Sequence, residues 1–162
     1  MNKDIELIVN KGEKIYYEDG FKVFYGHKNI FLGSNIYLVD ALLNAGDKEG
    51  KIIIEDNVFF GHGVKILARG HDYKLTDIDR QRSVVEAPII IKKGAWVGSG
   101  AIVLKGVTLG EHCVVGAGSI VTKDIPPKAI VVGNPAKIIK YIDRELTFLE
   151  KFKNFIRHIL KY

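Results

Sequence analysis

Five histidines and one cysteine are this chain's candidates for proton transfer or nucleophilic attack near neutral pH. One of them stands in an unusual setting. His71 follows Gly70 inside residues 69–87, RGHDYKLTDIDRQRSVVEA, a mostly polar stretch. An imidazole titrates near pKa 6.5, so it can take or give a proton at physiological pH. That property suits a general base acting on a hydroxyl. The other candidates have plainer settings. His62 sits between glycines in FFGHGV, His112 falls at an outward turn in LGEHCV, and His27 and His158 have no supporting context. Cys113 occupies a position where a small buried residue belongs, and no second cysteine exists for a thiolate metal site or a disulfide within the chain. A lone cysteine of this kind fits a reducing compartment.

What must position His71 is a six-residue beat. Ile91, Val97, Val103, Leu109, Val115 and Val121 are spaced six apart, and each is a branched aliphatic. Four residues after each comes a small or apolar residue: Ala95, Ala101, Val107, Cys113, Ser119 and Ile125. Neither the 3.6 period of a helix nor the 2 period of a simple strand gives this pattern. A hexapeptide repeat predicts a parallel β-helix, with three short faces closing a coil of about 18 residues. Ile91 should then lie beneath Leu109, and Val97 beneath Val115. Lys92, Lys105 and Glu111 should face solvent.

The beat is weaker upstream, at Leu32 and Leu38, and returns at Ile54, Phe60 and Ile66. Two breaks interrupt it. After Leu38 an anchor is due at 44, so the first break reads as ten extra residues around NAGDKEGK (44–51). After Ile66 an anchor is due at 72 and arrives at Ile91, which leaves nineteen extra residues. A loop that long in a repeat domain is more often functional than idle. Residues 15–26, IYYEDGFKVFYG, read as short strands about a turn at Asp19-Gly20 that cover the open first coil. Pro126-Pro127 ends the coils, and 129–140 reads as strand, turn and return. In the remainder, Leu146, Leu149, Phe152, Ile156 and Ile159 form a helical apolar stripe, and residues 137–162 carry a net charge of +4. The division is a β-helix domain over 1–140, with its loop at 69–88, and a helical tail over 141–162.

Hydrophobic content of 47% is enough for a packed core, and the formal charge of +5 is mild, so no nucleic-acid partner is expected. The first residues carry acids and no sustained apolar run, and no stretch is long enough to span a membrane. The expectation is a soluble cytoplasmic protein.

Periodicity by itself gives architecture, not activity. The motifs go further. WVGS (96–99), GVTLG (106–110), VVGAGSIVTKDIPP (114–127) and VGNPAKIIK (132–140) resemble the hexapeptide-repeat acetyltransferases. The likeness is to the galactoside, maltose and nodulation-factor O-acetyltransferases and their polysaccharide-modifying relatives. It covers about residues 30–140 and is densest over 89–140. The resemblance implies an all-β, left-handed parallel β-helix with a protruding loop, assembled as a homotrimer with active sites between subunits. It implies acetyl transfer from acetyl-CoA to a sugar or glycan hydroxyl by direct attack, with His71 as general base and no metal. Gly98, Ser99, Ala117, Thr122 and Lys123 match positions along the pantetheine arm, and Lys137 and Lys140 positions that reach the phosphates. Asp40 and Asn35 match acceptor-binding positions, and Trp96 stands beside cofactor or acceptor.

Several alternatives stay open. The family's asparagine–aromatic pair is replaced here by Gly33-Ser34, which leaves N-acetylation of a nucleotide-linked amino sugar as a second reading. A β-helix without catalysis, used as a binding module, is the rival from another class. Zinc chemistry of the γ-carbonic-anhydrase kind needs a pair of histidines five apart, whereas His62 and His71 are nine apart. The basic tail is expected to pack on the β-helix or a neighbouring subunit, with contact to an anionic membrane surface as its alternative.

Overall fold

An inward-facing aliphatic every sixth residue leaves room for only two to four residues of strand per face before the chain must turn. The computed structural model describes residues 3–142, and there the strands stack into three sheets. Face A holds Asn10–Lys11, Ile30–Leu32, Ile52–Ile54, Ile89–Ile91 and Thr108–Leu109. Face B holds Ile15–Tyr17, Ile36–Val39, Phe59–Phe60, Trp96–Val97, Val114–Val115, Ala129–Val132 and Lys137–Tyr141. Face C holds Lys22–Val23, Leu42–Asn44, Lys65–Leu67, Ile102–Leu104 and Ile120–Val121. Pairing within the faces is parallel, except that Lys137–Tyr141 returns antiparallel along Ala129–Val132. Among the described residues no helix is long and apolar enough to cross a membrane.

The eighteen-residue register holds. Ile91 pairs with Leu109, Val97 with Val115 and Val103 with Val121. The ladders continue down through Ile54 and Leu32, through Phe60, and through Ile66 and Leu43. All these side chains are buried, each worth ~1.5–3 kcal/mol on transfer from water. Cys113 is buried among them, and that burial pushes its thiol up to about 11.

The three corners of the prism differ. At the A–B corner Lys14, Asn35, Asn57, Gly94, His112 and Lys128 all take left-handed backbone, with φ from +55° to +69°. At the B–C corner the left-handed positions are Gly63, Gly100 and Gly118 on the regular coils, and Val39 on the coil below them. The C–A corner carries the excursions, at residues 24–29, 45–51 and 68–88.

Two expectations need correction. Residues 15–26 do not form a cover over the first coil; they are part of it. Ile15–Tyr17 lies on face B and Lys22–Val23 on face C, so Asp19-Gly20 is a prism corner rather than a hairpin turn. The cover is a short helix, Lys3–Leu7, which buries Ile5 with Ile8 just beyond it, and Asp4 Oδ2 accepts from the Val23 N–H at 2.9 Å. The first break is also shorter than expected. Leu43 takes the face C ladder position, five residues after Leu38, because this corner is one residue short and Val39 turns left-handed there. The excursion then adds five residues (due at 49, resumed at Ile54), not ten. The expected helical tail beyond Ile142 lies outside the described residues.

Candidate active site

Face C releases the chain at Leu67 and face A takes it back at Ile89. The two legs of the loop between them pair as a short antiparallel ladder, with Arg69 opposite Glu86 and Gly70 opposite Val85. A helix not foreseen from the sequence, Asp77–Arg82, forms the tip. Asp77 and Asp79 in its first turn and Arg80 and Arg82 in its last complement the helix dipole. Arg80 folds back to donate from Nε to the Leu75 carbonyl at 2.6 Å and from Nη2 to the Tyr73 carbonyl at 3.2 Å. These bonds give a mostly polar loop a fixed shape without a core of its own.

His71 stands directly after this ladder, exposed to solvent. Its Nδ1 lies 2.6 Å from the Ser83 carbonyl oxygen. A carbonyl only accepts, so Nδ1 carries the proton, and in the neutral ring Nε2 holds the free lone pair. Ser83 is itself fixed: its Oγ accepts from the Asp72 N–H at 3.0 Å and donates to the Arg80 carbonyl at 3.1 Å. One ring nitrogen is thus committed to the backbone, and the other keeps a lone pair on an exposed side chain.

The loop is tied to the excursion below it. Glu86 accepts hydrogen bonds from four consecutive backbone N–H groups, those of Asp47 (3.1 Å), Lys48 (2.9 Å), Glu49 (2.9 Å) and Gly50 (3.1 Å). Burial pushes this carboxyl up, but the four N–H donors outweigh it and hold the group below the usual carboxylate range. On the other leg, Arg69 sits 3.5 Å from Asp47 and lays its guanidinium over the Tyr25 ring at 4.4 Å. A cavity of about 500 Å³ lies between the two segments, lined in part by Lys48, Arg69 and Val84.

The remaining sequence-predicted residues are distributed around the prism. Thr122 and Lys123 share the C–A corner with His71, on a higher coil. Gly98, Ser99, Ala117 and Asp40 lie on the B–C corner, across face C. Trp96 is exposed on face B, stacked on Phe59 at 5.3 Å, and Lys137 and Lys140 are exposed on the outermost strand of that face. Asn35 lies on the A–B corner, far round the coil from the loop, where its left-handed backbone makes the turn and its amide donates to Asn57 Oδ1 at 2.7 Å. Asp40 accepts from the Gly63 N–H at 2.7 Å and approaches His62 Nδ1 at 3.5 Å. Gly98 is buried, and a Cβ there would meet the backbone of the coil above, so coil stacking is what requires glycine at that position. The glycines that leave an open edge are Gly100 and Gly118, where a Cβ would meet little or nothing within 4 Å. Among the described residues no three His, Cys, Asp or Glu side chains form a metal-holding group.

Residues 88–123 match the family model described as bacterial transferase hexapeptide (six repeats). The galactoside O-acetyltransferase of Escherichia coli is 34% identical over 85% of this chain and 66% of its own length. The solved structure of a maltose O-acetyltransferase from Clostridium difficile superposes with a TM-score of 0.73 and 34% identity, over 83% of this chain and 70% of that one. The chain belongs to the hexapeptide-repeat acetyltransferase family. As in its relatives, the β-helix is left-handed. A family member from Vibrio cholerae, solved in complex with acetyl coenzyme A, superposes with a TM-score of 0.73 at 26% identity, over 87% of this chain and 75% of that one. The chain spans 58–68% of the length of four curated relatives that match at least four fifths of it.

Sequence reasoning missed several residues at this site. Ser83 and Glu86 lie twelve and fifteen positions beyond His71, and only the return of the chain brings them back. Lys105, expected to face solvent, is half-buried, with its Nζ 3.8 Å from where a Cβ on Gly70 would stand. A polar run bounded by glycines, 46–50, was the one available sign that backbone amides converge on an anion.

Proposed function

We propose that this chain is an O-acetyltransferase, moving acetyl from acetyl-CoA to a hydroxyl of a sugar or glycan precursor with His71 as general base. The observation that carries the reading is the 2.6 Å bond from His71 Nδ1 to the Ser83 carbonyl, which leaves Nε2 as the acceptor of a proton. As the acceptor oxygen attacks the thioester carbonyl, its proton passes to Nε2 and a C–O bond forms. A backbone N–H donor steadies the tetrahedral oxyanion. Collapse breaks the C–S bond, and the imidazolium returns the proton to the departing sulfur. No covalent acyl-enzyme is needed when both substrates are held together.

The pantetheine arm fits the B–C edge, where Gly100 and Gly118 keep the backbone bare and Ser99 and Ala117 supply small side chains. Thr122, Lys123, Lys137 and Lys140 are the further groups assigned to the coenzyme, with lysine acting on phosphate as a point charge. His71 and the bare edge lie on different corners of one prism. That separation supports a site completed by a second copy, the C–A corner of one subunit facing the B–C corner of its neighbour, in a homotrimer. The exposed aromatic column of Tyr16, Tyr37, Phe59 and Trp96 on face B supports association, because contiguous apolar surface of this kind marks interfaces. A cytoplasmic setting suits acetyl-CoA chemistry and the unpaired Cys113.

The test is thioester consumption, read as free thiol, across a panel of sugars that includes amino sugars. His71→Ala should lower the rate at least ~10²-fold while the β-helix persists. Undiminished turnover in that variant refutes the assignment, and turnover confined to amino sugars replaces the hydroxyl by an amine.

A further inference from the structure

The four N–H bonds on Glu86 are more than a loop tether. Two glycines shape the seat, one against the carboxylate itself and one against the turn that holds it. A Cβ on Gly46 would meet the Glu86 carboxyl carbon at 2.2 Å, and one on Gly50 would meet the Gly46 backbone nitrogen at 2.5 Å. The 45–51 excursion therefore exists as a socket for one anion, and the chain supplies that anion from the catalytic loop. A carboxylate is the right guest, because charge-assisted bonds to backbone N–H are roughly twice as strong as neutral ones.

From Glu86 a short chain of contacts leads to the reacting nitrogen. Glu86 pairs with Arg69 across the ladder, and Val85 with Gly70, the residue before His71. Ser83, three residues before Glu86, holds His71 Nδ1 through its carbonyl. Both legs are thus anchored on the same excursion, one by Glu86 and one by the contact of Arg69 with Asp47 at 3.5 Å. The placement of the Ser83 carbonyl under the imidazole depends on where the second leg is seated.

We infer that Glu86 is a positioning residue for His71: seated in the amide socket of 47–50, it fixes the Ser83 carbonyl that selects the Nδ1–H tautomer and turns Nε2 outward. The inference rests on the assignment of His71 as base, but two of its readouts do not depend on activity. Without the socket the loop's second leg is free to shift. The Ser83 carbonyl then no longer dictates which ring nitrogen is protonated, and a loosely held imidazole takes a mixture of tautomers.

The experiment uses the full chain with Glu86→Gln and Gly46→Ala. The first removes the charge, and the second drives a methyl into the seat while leaving Glu86 in place. Hydrogen exchange at the amides of 47–50 should accelerate at least tenfold in both variants. Nitrogen-15 shifts of the His71 ring should move from the Nδ1–H pattern toward a mixture. In thioester consumption, kcat should fall by about tenfold or more, short of or equal to the ~10²-fold loss from removing the base, with KM for acetyl-CoA little changed. Glu86→Asp, which keeps the charge, should recover part of the rate. Faster exchange at 47–50 with unchanged His71 shifts in both variants overturns the inference, since Glu86 would then only stabilise the fold. Global unfolding of Glu86→Gln passes the decision to Gly46→Ala, where an unaltered tautomer overturns it equally. Inactivity of every form, wild type included, with the shifts moving as expected, would count against the acetyl-transfer assignment and leave the positioning of the ring standing.

Discussion

Replacing Gly98 with alanine tests whether the coils are stacked as tightly as their geometry implies. The new Cβ would lie 2.7 Å from the Ala117 nitrogen, 2.8 Å from the Val115 oxygen and 3.0 Å from the Gly116 carbonyl carbon. These are backbone atoms of the next coil, so no flexible side chain can swing aside. Parallel strands stack about 4.8 Å apart, and relieving the overlap means prising two coils open by several tenths of an ångström. The bond from the Gly98 N–H to the Val115 carbonyl, 2.7 Å long, would stretch as they part. Overpacking of ~1–3 kcal/mol and a weakened bond of ~0.5–1.5 kcal/mol together give about 2–4 kcal/mol, a large share of a domain's ~5–15 kcal/mol. Gly118→Ala is the control. Its Cβ meets nothing within 4 Å, but its φ of +68° strains any L-residue by ~1–2 kcal/mol. Urea unfolding followed by circular dichroism should therefore rank the variants as Gly98→Ala less stable than Gly118→Ala, and both below wild type. A Gly98→Ala protein within about 0.5 kcal/mol of wild type, or more stable than Gly118→Ala, refutes the stacking argument.

Other outcomes follow from particular residues. Ile66→Ala opens a void in the middle of the face C ladder and should cost ~2–5 kcal/mol in the same urea assay. Cys113, pushed up to about 11 by burial against a reference of 9.0, should ignore thiol reagents in the folded protein and react on unfolding. Because the unfolded thiol ionises first, this group's contribution to stability is intact below pH 9 and is lost as the pH rises toward 11, which a pH series of urea midpoints would read. Glu86 has the opposite sign: its folded carboxyl is held below the reference of 4.5, so its contribution is present above that pH and lost on further acidification. Exchange protection at the amides of 47–50 should fall in that acidic window ahead of protection in the coils.

The regular coils were legible because their determinant is local. Each of Ile91, Val97, Val103, Leu109, Val115 and Val121 carries its ladder position in its own spacing, and all six are buried. The lower coils were harder to read because a corner can lose one residue without breaking the ladder. Leu43 arrives one step early, and the count from Leu38 goes astray. The loop around His71 was visible as an interruption of the beat. Its working parts were not, since Ser83 and Glu86 act through contacts formed only when the chain doubles back. Asn35, matched by resemblance to an acceptor-binding position, stands in a left-handed turn with its amide on Asn57, two features that its place in the chain did not announce. Spacing along the chain carries which side chain points inward. It does not carry which backbone amide an outward carboxylate will find.

Every excursion of the described chain leaves by the C–A corner, at 24–29, 45–51 and 68–88, while the other two corners keep nearly constant length. Scaffold and fittings are thus mechanically separable. The prism behaves as a mast with all its rigging on one side, so a replacement segment spliced between Leu67 and Ile89 must satisfy only two fixed ends and the socket beneath it. Exchanging that segment between relatives, with its acid kept in the seat, then tests whether acceptor preference travels with the segment while the frame stays unchanged.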